Sequence, residues 1–412
     1  MKAFDLLGNA VRAKEIFAVF ARHGFADFIN QLDLPASLAR RFQNPDKPRK
    51  SKWERIRLAA EELGPAWVKF GQLLSMRPDL IPHPLILELR KLQNAVPAVP
   101  YAEIHESLVE EFDGDPKDVF AWFDPTPIAA ASLAQVYRAR LHDSDTEVVV
   151  KAQRPGIARA ILADLDLAEW LAHQLHQRIT ALRPYDLPSV VEAVSEGVER
   201  EIDFRNEARN QAYFNTKNPS PEHVFAPQVY TEWSTDKVLV MDFIEGSPVG
   251  TDVVSPERTK ELAAEGASSI VRQVLIDGFF HADPHAGNVL VTGDGRLCFL
   301  DWGLAGHLTR RLRYALADFW LAAVEGEAES VVRIAGELAP PGARTDLREM
   351  EKDVTLALRE ELNFTIGHME IGRAMLKLLF IFGTHGIPLS RDYAMMAKAV
   401  LAIEEVGRAM DP

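Results

Sequence analysis

Three side chains that carry oxygen ligands lie close together in the sequence, in an order suited to metal-dependent chemistry on a phosphate group. Asp283 lies five residues before Asn288, and Asp301 follows Asn288 by thirteen residues. Magnesium prefers oxygen ligands and takes only one or two of them from protein when phosphate and water supply the rest. Asn288 and Asp301 are therefore predicted magnesium ligands, and Asp283 is predicted to position the group that attacks the phosphate.

A β-hairpin is predicted between the two proposed magnesium ligands. Residues 289–291 and 297–300 are apolar, and the turn residues 293–295 separate them. The hairpin would fix the distance between Asn288 and Asp301. Kinase-like folds use the same spacing around a triphosphate, so ATP is the predicted ligand. A tight loop whose polar residues only cap turns is the alternative, but it would not require this spacing.

An upstream lysine is the second feature that a triphosphate site needs. Residues 132–141 and 147–151 form a predicted hairpin, and Lys151 ends its second strand. In kinase-like folds such a lysine contacts phosphates and pairs with a glutamate on a helix. On its own, Lys151 would be interpreted as a solvent-exposed lysine. The motif around Asp283 makes phosphate binding the better interpretation.

The loop that opens this hairpin lacks the glycines that let backbone amides close over phosphates. It consists of Ala129, Ala130, Ala131 and Ser132, and we call it the alanine loop. Alanine adopts positive φ at a higher cost than glycine. The nucleotide is therefore predicted to bind in a different pose.

An adenine-binding linker is predicted after the apolar strand at residues 237–241. Main-chain groups of Met241, Phe243 and Ile244 would form hydrogen bonds with the base. Because side chains take no part in such contacts, an ordinary strand exit explains the same residues equally well.

Three acidic residues are predicted to lie on one helix at residues 191–210. At about 100° per residue, Asp203 and Glu207 share nearly the same face, whereas Glu201 points about 120° away from Glu207. Two carboxylates on one face repel each other unless cations are near. Glu207 is therefore predicted to pair with Lys151, and Glu201 with a second cation. A solvated helix with local ion pairs is the alternative.

A second predicted helix, at residues 61–74, carries Lys69, Gly71 and Gln72. Lys69 lies outside the apolar stripe of this helix and, without its context, would be interpreted as a surface lysine. Gly71 permits close backbone approach, and the Gln72 amide is able to contact a polar loop or a phosphate.

The motifs occur in the order that marks the UbiB/AarF family of atypical kinase-like proteins, which the chain resembles from roughly residue 50 to residue 410. They are Lys69-Phe70-Gly71-Gln72, the alanine loop, Val150-Lys151, Glu201-Ile202-Asp203-Phe204 with Glu207, His281 to Asn288, and Asp301-Trp302-Gly303. The resemblance implies binding and hydrolysis of ATP, stimulated by lipids or quinone precursors, in support of ubiquinone biosynthesis. It also implies that Lys69 is the partner of Glu201 and that Asp203 belongs to the same regulatory motif.

The implied fold class is α+β. It is a bilobal protein-kinase-like fold with a small lobe of mixed sheet and helix, a mainly helical larger lobe, and a helical N-terminal extension that covers the active site. The predicted boundaries are 1–50 for an amphipathic and basic extension, 51–115 for a helical module with the Lys69 motif, 116–245 for the smaller lobe and 246–412 for the larger lobe.

Whole-chain composition is that of a globular protein. Of the 412 residues, 47% are hydrophobic and 26% are charged. The net charge of −14 argues against a general nucleic-acid-binding protein. The single cysteine, Cys298, excludes an internal disulfide, and His281 is predicted to brace its loop rather than to bind metal.

Peripheral binding to the cytoplasmic side of a bacterial inner membrane is predicted. Eight Lys and Arg residues lie between Arg40 and Arg57, where they would contact anionic lipids or form a solvated linker. Residues 4–34 would form amphipathic helices that lie on a membrane or pack on the protein core. The sequence contains no run of 18 apolar residues. Because family members often continue beyond the equivalent of Pro412 into hydrophobic helices, a longer, anchored protein is expected.

The predicted partners are ATP, membrane or quinone-precursor lipids, and enzymes of quinone biosynthesis. Two other functions compete with the ATPase. A small-molecule phosphotransferase similar to aminoglycoside or choline kinases would share the Asp283 loop, but Lys69-Phe70-Gly71-Gln72 and the alanine loop argue against it. A non-catalytic nucleotide-binding scaffold that responds to lipid would explain the missing glycines.

Overall fold

A computed structural model describes residues 10–32, 50–77, 80–92, 97–142, 146–251, 254–339, 346–362, 371–387 and 391–411. The helices in these ranges are α1 Ala10–Phe20, α2 Ala26–Ile29, α3 Lys52–Leu63, α4 Pro65–Ser75, α5 His83–Leu89, α6 Tyr101–Phe112, α7 Pro116–Val119, α8 Ile157–Arg178, α9 Leu187–Glu201, α10 Phe204–Lys217, α11 Pro256–Arg272, α12 Arg310–Val324, α13 Ala328–Leu338, α14 Leu347–Leu362, α15 Ile371–Thr384 and α16 Arg391–Met410. The strands are β1 Phe120–Phe123, β2 Ala129–Ala130, β3 Ala134–Leu141, β4 Glu147–Gln153, β5 Val224–Phe225, β6 Val238–Asp242, β7 Gly246–Pro248, β8 Phe279–His281, β9 Val289–Thr292, β10 Leu297–Phe299 and β11 Ala305–His307.

The smaller lobe is built on an antiparallel sheet. Its strands follow the order β1-β3-β4-β6, and β2 pairs with β3. The alternating residues of β3 and β4 place one face of the sheet against α6, where Tyr137, Val148 and Val150 are fully buried. The predicted hairpin before Lys151 is confirmed as β3 and β4.

The larger lobe is mainly helical and contains two small sheets. One sheet has the order β5-β10-β9-β7, and the other pairs β8 with β11. The antiparallel pair β9–β10 confirms the hairpin predicted between Asn288 and Asp301. The surrounding core draws on α11 to α16.

Helices α1–α5, together called the extension, pack against the smaller lobe. Ile16 and Phe17 of α1 are buried with residues of α3 and α8. Both carboxylate oxygens of Asp164 on α8 accept hydrogen bonds from Arg12, at 2.7 and 2.6 Å. Helix α4 packs on α8 and α9 through Leu73, among others. The described part of the first 34 residues therefore packs on protein, which was one of the two arrangements considered.

The prediction of a continuous helix at residues 61–74 is wrong. Helix α3 ends at Leu63 and α4 begins at Pro65, because Gly64 between them has a φ of 96°. Glycine readily adopts this conformation, and proline is favoured in the first turn of the helix that follows.

The helix predicted at residues 191–210 also divides in two. Helix α9 ends at Glu201, and the Asp203 carboxylate caps α10 by accepting a hydrogen bond from the backbone N–H of Arg205 at 3.0 Å. Asp203 also forms an ion pair with the Arg205 side chain at 2.8 Å. The prediction that Asp203 and Glu207 share a helix face is therefore wrong, since Asp203 lies at the bend before the helix.

The described residues include no helix with the length and apolarity that a membrane crossing requires. Of the predicted basic cluster, Arg40, Arg41, Lys47 and Arg49 lie outside the described residues.

Candidate active site

A buried ion pair joins β4 to α10. Lys151 lies between Val136 of β3 and Leu239 of β6, so the sheet register fixes its backbone. Its Nζ atom lies 3.0 and 2.8 Å from the two carboxylate oxygens of Glu207. Both carboxylate oxygens of Glu207 therefore have a partner, and its side chain is only 4% exposed. The structure thus brings the predicted lysine and glutamate together.

Asp301 faces the same ammonium group from the larger lobe. Its Oδ1 atom lies 3.8 Å from Lys151 Nζ, and about half of its side chain is exposed. Lys151 lowers the pKa of Asp301 to about 2, so the carboxylate is ionised at neutral pH. Burial disfavours the Lys151 ammonium, but Asp301 and Glu207 together raise its pKa above the ordinary value.

The backbone of Asp301 is held in an uncommon conformation. Its φ of 49° lies in the left-handed region, which costs an aspartate free energy. The next residue, Trp302, is fully buried and stacks on Phe214 with ring centres 4.4 Å apart. Asn210 of α10 donates a hydrogen bond to the Trp302 carbonyl at 2.9 Å. The surrounding packing therefore fixes the direction of the Asp301 side chain.

A buried histidine organises the loop at residues 283–288, called the Asp283 loop. His281 Nδ1 accepts a hydrogen bond from the backbone N–H of Asp283 at 3.0 Å, and Nε2 donates one to the Leu300 carbonyl at 2.9 Å. Burial lowers the pKa of His281, which favours the neutral ring that this pattern requires. The prediction that His281 braces its loop is confirmed. The Asn288 amide nitrogen donates to the Asp283 carbonyl at 3.2 Å, which leaves the amide oxygen for another partner.

A second buried ion pair joins the extension to α9. Lys69 Nζ lies 2.6 Å from one carboxylate oxygen of Glu201, whose side chain is 5% exposed. Burial lowers the pKa of Lys69. The other oxygen, Glu201 Oε1, is buried without a hydrogen-bond partner among the described residues. This pair has the partners that the family resemblance implied.

The other two residues of the Lys69 motif contact the extension itself. A β-carbon at Gly71 would lie 2.5 Å from Leu92 Cδ1, so glycine allows a close approach that a larger residue would permit only if the Leu92 side chain shifted. The Gln72 amide donates a hydrogen bond to the Leu92 carbonyl at 3.1 Å. Gly71 and Gln72 therefore hold the chain after α5 against α4.

The alanine loop is fixed by its own hairpin and by an arginine that the sequence did not point to. Ala129 and Ala130 pair with β3, and Ser132 is buried. Arg154 donates hydrogen bonds to the carbonyls of Ala131 and Pro97, at 2.9 and 2.8 Å. Arg154 thus links the alanine loop to Pro97, in the segment between α5 and α6.

In the predicted adenine linker, one of the backbone N–H groups already donates a hydrogen bond within the protein. Met241 lies in β6 opposite Val149. The Phe243 N–H donates to the Glu147 carbonyl at 3.0 Å, and Ile244 follows outside the sheet. Phe243 N–H is therefore not free for a nucleotide base in this conformation.

Lys398 is a charged residue of the site that sequence reasoning missed. It lies on α16, and its Nζ atom lies 3.0 Å from Asp283 Oδ1. The sequence contains one weak signal, because Lys398 is the only charged residue in the apolar run 393–402. A chain separation of 115 residues gives no indication of which group it meets.

The donor set fits magnesium better than a softer metal. Asn288 offers an amide oxygen and Asp301 an ionised carboxylate, both hard ligands, and phosphate and water would complete the coordination. Within the described residues, no group of three or more His, Cys, Asp or Glu side chains converges as a metal cluster.

The family of the chain follows from comparisons with known proteins. The family model of the ABC1 atypical kinase-like domain matches residues 91–335. A probable protein kinase UbiB from Aliivibrio fischeri is 31% identical over 373 residues, which cover 89% of this chain and 68% of that protein. The protein ACTIVITY OF BC1 COMPLEX KINASE 3, chloroplastic, of Arabidopsis thaliana is 30% identical, over 90% of this chain and 52% of that protein.

A solved structure supports the same conclusion about the fold. The structure of the complex of Rv3197 with erythromycin, from Mycobacterium tuberculosis, matches 83% of this chain and 91% of that chain with a TM-score of 0.54 and 23% identity. The predicted kinase-like fold with N-terminal helices before the kinase-like domain is confirmed. The chain belongs to the family of ABC1 atypical kinase-like proteins, as the resemblance to UbiB predicted.

Proposed function

We propose that this protein binds ATP with magnesium and acts as an atypical kinase-like ATPase. One observation carries the proposal. Lys151 Nζ lies 2.8 Å from Glu207 and 3.8 Å from Asp301, so a cation suited to phosphates and a carboxylate suited to magnesium face the same space. A structural ion pair alone would not need the half-exposed third group, Asp301.

Each residue would perform a distinct part of the reaction. Lys151 would hold the α- and β-phosphates, with Glu207 fixing its position. Asn288 and Asp301 would hold magnesium, which supplies positive charge to the phosphate oxygens when it is bound. Asp283 would orient the attacking water and accept its proton as the new oxygen–phosphorus bond forms and the bond to ADP breaks.

We further propose that the ATPase supports the biosynthesis of ubiquinone or another isoprenoid quinone at the cytoplasmic face of a bacterial inner membrane. Relatives named UbiB in two bacteria, one of them Xanthomonas campestris pv. campestris at 31% identity over 98% of this chain, support this role. Lys50 and Lys52, which are exposed at the end of the basic segment, would help it bind anionic membrane lipids peripherally. Quinone-precursor lipids and enzymes of quinone biosynthesis are the proposed partners.

The alanine loop favours a second candidate, a non-catalytic protein that binds nucleotide and responds to lipid. Between Ala129 and Ser132 there is no glycine whose amide would readily close over phosphates. Such a protein would keep the nucleotide site but would not release phosphate.

The test measures phosphate release by the wild type and by Asp301→Asn, with and without phosphatidylglycerol liposomes or a phenolic isoprenoid compound. We expect turnover by the wild type, stimulation by these additives, and a loss of roughly 100-fold or more in the variant, because its metal ligand is no longer charged. The fold should persist, since asparagine tolerates the left-handed conformation. Asp294→Asn, in the β9–β10 turn where Asp294 pairs with Arg296, is the matched control and should retain turnover.

Other outcomes separate the alternatives. Nucleotide binding without any turnover would support the non-catalytic scaffold. Stable transfer of phosphate to a small hydroxyl compound would indicate a small-molecule phosphotransferase. A wild-type protein that binds no nucleotide would contradict all three functions.

A further inference from the structure

Helix α16, the last described helix, carries a lysine whose ammonium group lies next to the Asp283 carboxylate. Lys398 Nζ lies 3.0 Å from Asp283 Oδ1. Its neighbours Ala397 and Ala399 are fully buried, so the core of the larger lobe fixes this turn of α16. The ammonium group therefore approaches Asp283 from a rigid element.

The Asp283 loop contains no cation of its own. Residues 283–288 include neither lysine nor arginine. The two other lysines of the site are committed elsewhere, because Lys69 pairs with Glu201 and Lys151 pairs with Glu207. Lys69 also acts on Asp283 electrostatically, but among the described residues Lys398 is the lysine whose ammonium group contacts that carboxylate.

Lys398 retains hydrogen-bonding capacity for a further anion. An ammonium group has three donors. Within the described part of the chain, one of them meets Asp283 and another meets the sulfur of Met76 at 3.3 Å. Thioether sulfur is a weak acceptor, and about a third of the Lys398 side chain is exposed. The group is thus partly enclosed but accessible to a small charged ligand.

We propose that Lys398 binds the terminal phosphoryl group of ATP and stabilises its charge during transfer. The inference rests on the proposed function, because that function places the phosphorus next to the oxygen that Asp283 orients. Reacting atoms approach to about 3–3.5 Å, so a cation in contact with Asp283 lies within reach of the phosphoryl oxygens. Charge on those oxygens in the transition state is stabilised by fixed positive groups. Lys398 would therefore be a catalytic residue that also distinguishes ATP from ADP.

Calorimetric titration with Mg-ATP and Mg-ADP tests this assignment. In Lys398→Met, which keeps the length of the side chain and removes its charge, we expect affinity for ATP to fall about tenfold, and affinity for ADP to stay within about twofold. The turnover number should fall roughly 100-fold. Lys398→Arg should recover much of the ATP preference, because it restores the charge.

Lys377→Met is the matched control. Lys377 lies on α15 and pairs with Glu360 at 2.6 Å, so the control removes another C-terminal lysine from an ion pair. It should leave both affinities and turnover unchanged. Thermal unfolding of each variant shows whether it is folded, and the arginine variant tests the assignment if the methionine variant is not.

Three results would overturn the assignment. They are equal losses of ATP and ADP affinity in Lys398→Met, unchanged ATP affinity and turnover, and increased turnover, which would mean that Lys398 restrains Asp283.

Failure of the proposed function would give different results. A wild type that binds ATP without releasing phosphate would refute the ATPase, while the ATP-to-ADP affinity ratio of the variants would still decide the role of Lys398. A wild type that binds neither nucleotide would refute both.

Discussion

The site contains two lysine–glutamate pairs that are almost equally buried but differ in how many carboxylate oxygens the lysine contacts. The lysine side chains, Lys151 and Lys69, are each 17% exposed, and the glutamates are 4% and 5% exposed. Lys151 contacts both oxygens of Glu207 and has Asp301 nearby, and its pKa is raised. Lys69 contacts one oxygen of Glu201, and burial lowers its pKa.

The difference shows that equal burial does not give equal ion pairs. The pair at Lys151 lies within the smaller lobe and satisfies the hydrogen-bonding groups of its glutamate. The pair at Lys69 connects the extension to α9 and leaves Glu201 Oε1 without a partner in the described structure. Because an unsatisfied buried oxygen costs free energy, the second pair is the weaker connection. We therefore expect the extension to separate from α9 more readily than Lys151 separates from Glu207.

Removal of Lys151 should have the largest effect. In Lys151→Met, Glu207 would remain buried without its cation, which should lower the free energy of unfolding by about 3–5 kcal/mol. Turnover should fall roughly 100- to 1,000-fold, because a phosphate contact is lost. Urea unfolding and phosphate release measure the two effects.

The double variant Lys151→Met with Glu207→Met is the control for charge burial. It should regain most of the stability, because no unpaired charge remains, but none of the activity. A double variant as unstable as Lys151→Met would show that packing, rather than the unpaired carboxylate, caused the loss.

Lys69→Met should have a smaller and more local effect. It removes the partner that Glu201 has among the described residues and should cost on the order of 1–3 kcal/mol. Hydrogen exchange should increase in α4 and stay unchanged in β4, since only the extension is released. Glu201→Gln breaks the same pair from the other side and should give the same pattern. Equal increases in hydrogen exchange in α4 and β4 would contradict the conclusion that the two ion pairs differ in strength.

Gly71→Ala tests the packing inside the extension. The new methyl group would overlap the end of the flexible Leu92 side chain, so we expect a loss of about 1 kcal/mol. Gly336→Ala in α13 is the matched control, because a β-carbon there meets no atom within 4 Å. Its stability should rise by roughly 0.5–1 kcal/mol, as alanine favours helix. The two Tm values should move in opposite directions.

The smallest effect concerns pH. The pKa of Asp301 is about 2 in the folded chain, below its ordinary value of 3.8, so ionised Asp301 stabilises the fold above about pH 4 and this contribution is lost as pH falls toward 2. Stability curves of the wild type and Asp301→Asn should therefore run parallel from pH 5 to 8. Below pH 4 the wild type should lose stability relative to the variant. If the stability difference between the wild type and Asp301→Asn changed between pH 5 and 8, Lys151 would not be the group that lowers the pKa of Asp301.

Local patterns predicted much of this arrangement. Alternating apolar residues predicted the hairpin that carries Lys151, and a glycine-containing turn between two apolar runs predicted the hairpin that separates Asn288 from Asp301. The motif order predicted the family and its fold. The breaks at Gly64 and Asp203 also had local signals, a glycine before proline and a capping aspartate, but continuous helical periodicity obscured them.

Other features depend on contacts between distant parts of the chain. The contacts of Lys398 with Asp283 and of Arg154 with the alanine loop form only when separate elements pack together. Side-chain type and spacing carry no information about such partners. The left-handed backbone of Asp301 is similarly imposed by the packing around Trp302.

Trp302 gives the site a built-in optical probe. The indole stacks on Phe214 and Phe279, and the backbone of Trp302 is bonded directly to Asp301, the residue proposed to hold magnesium. Indole fluorescence depends on the electric field and the neighbours of the ring. In a variant whose other tryptophans are replaced by phenylalanine, a ligand that pulls on Asp301 would change the emission of Trp302 without any attached label.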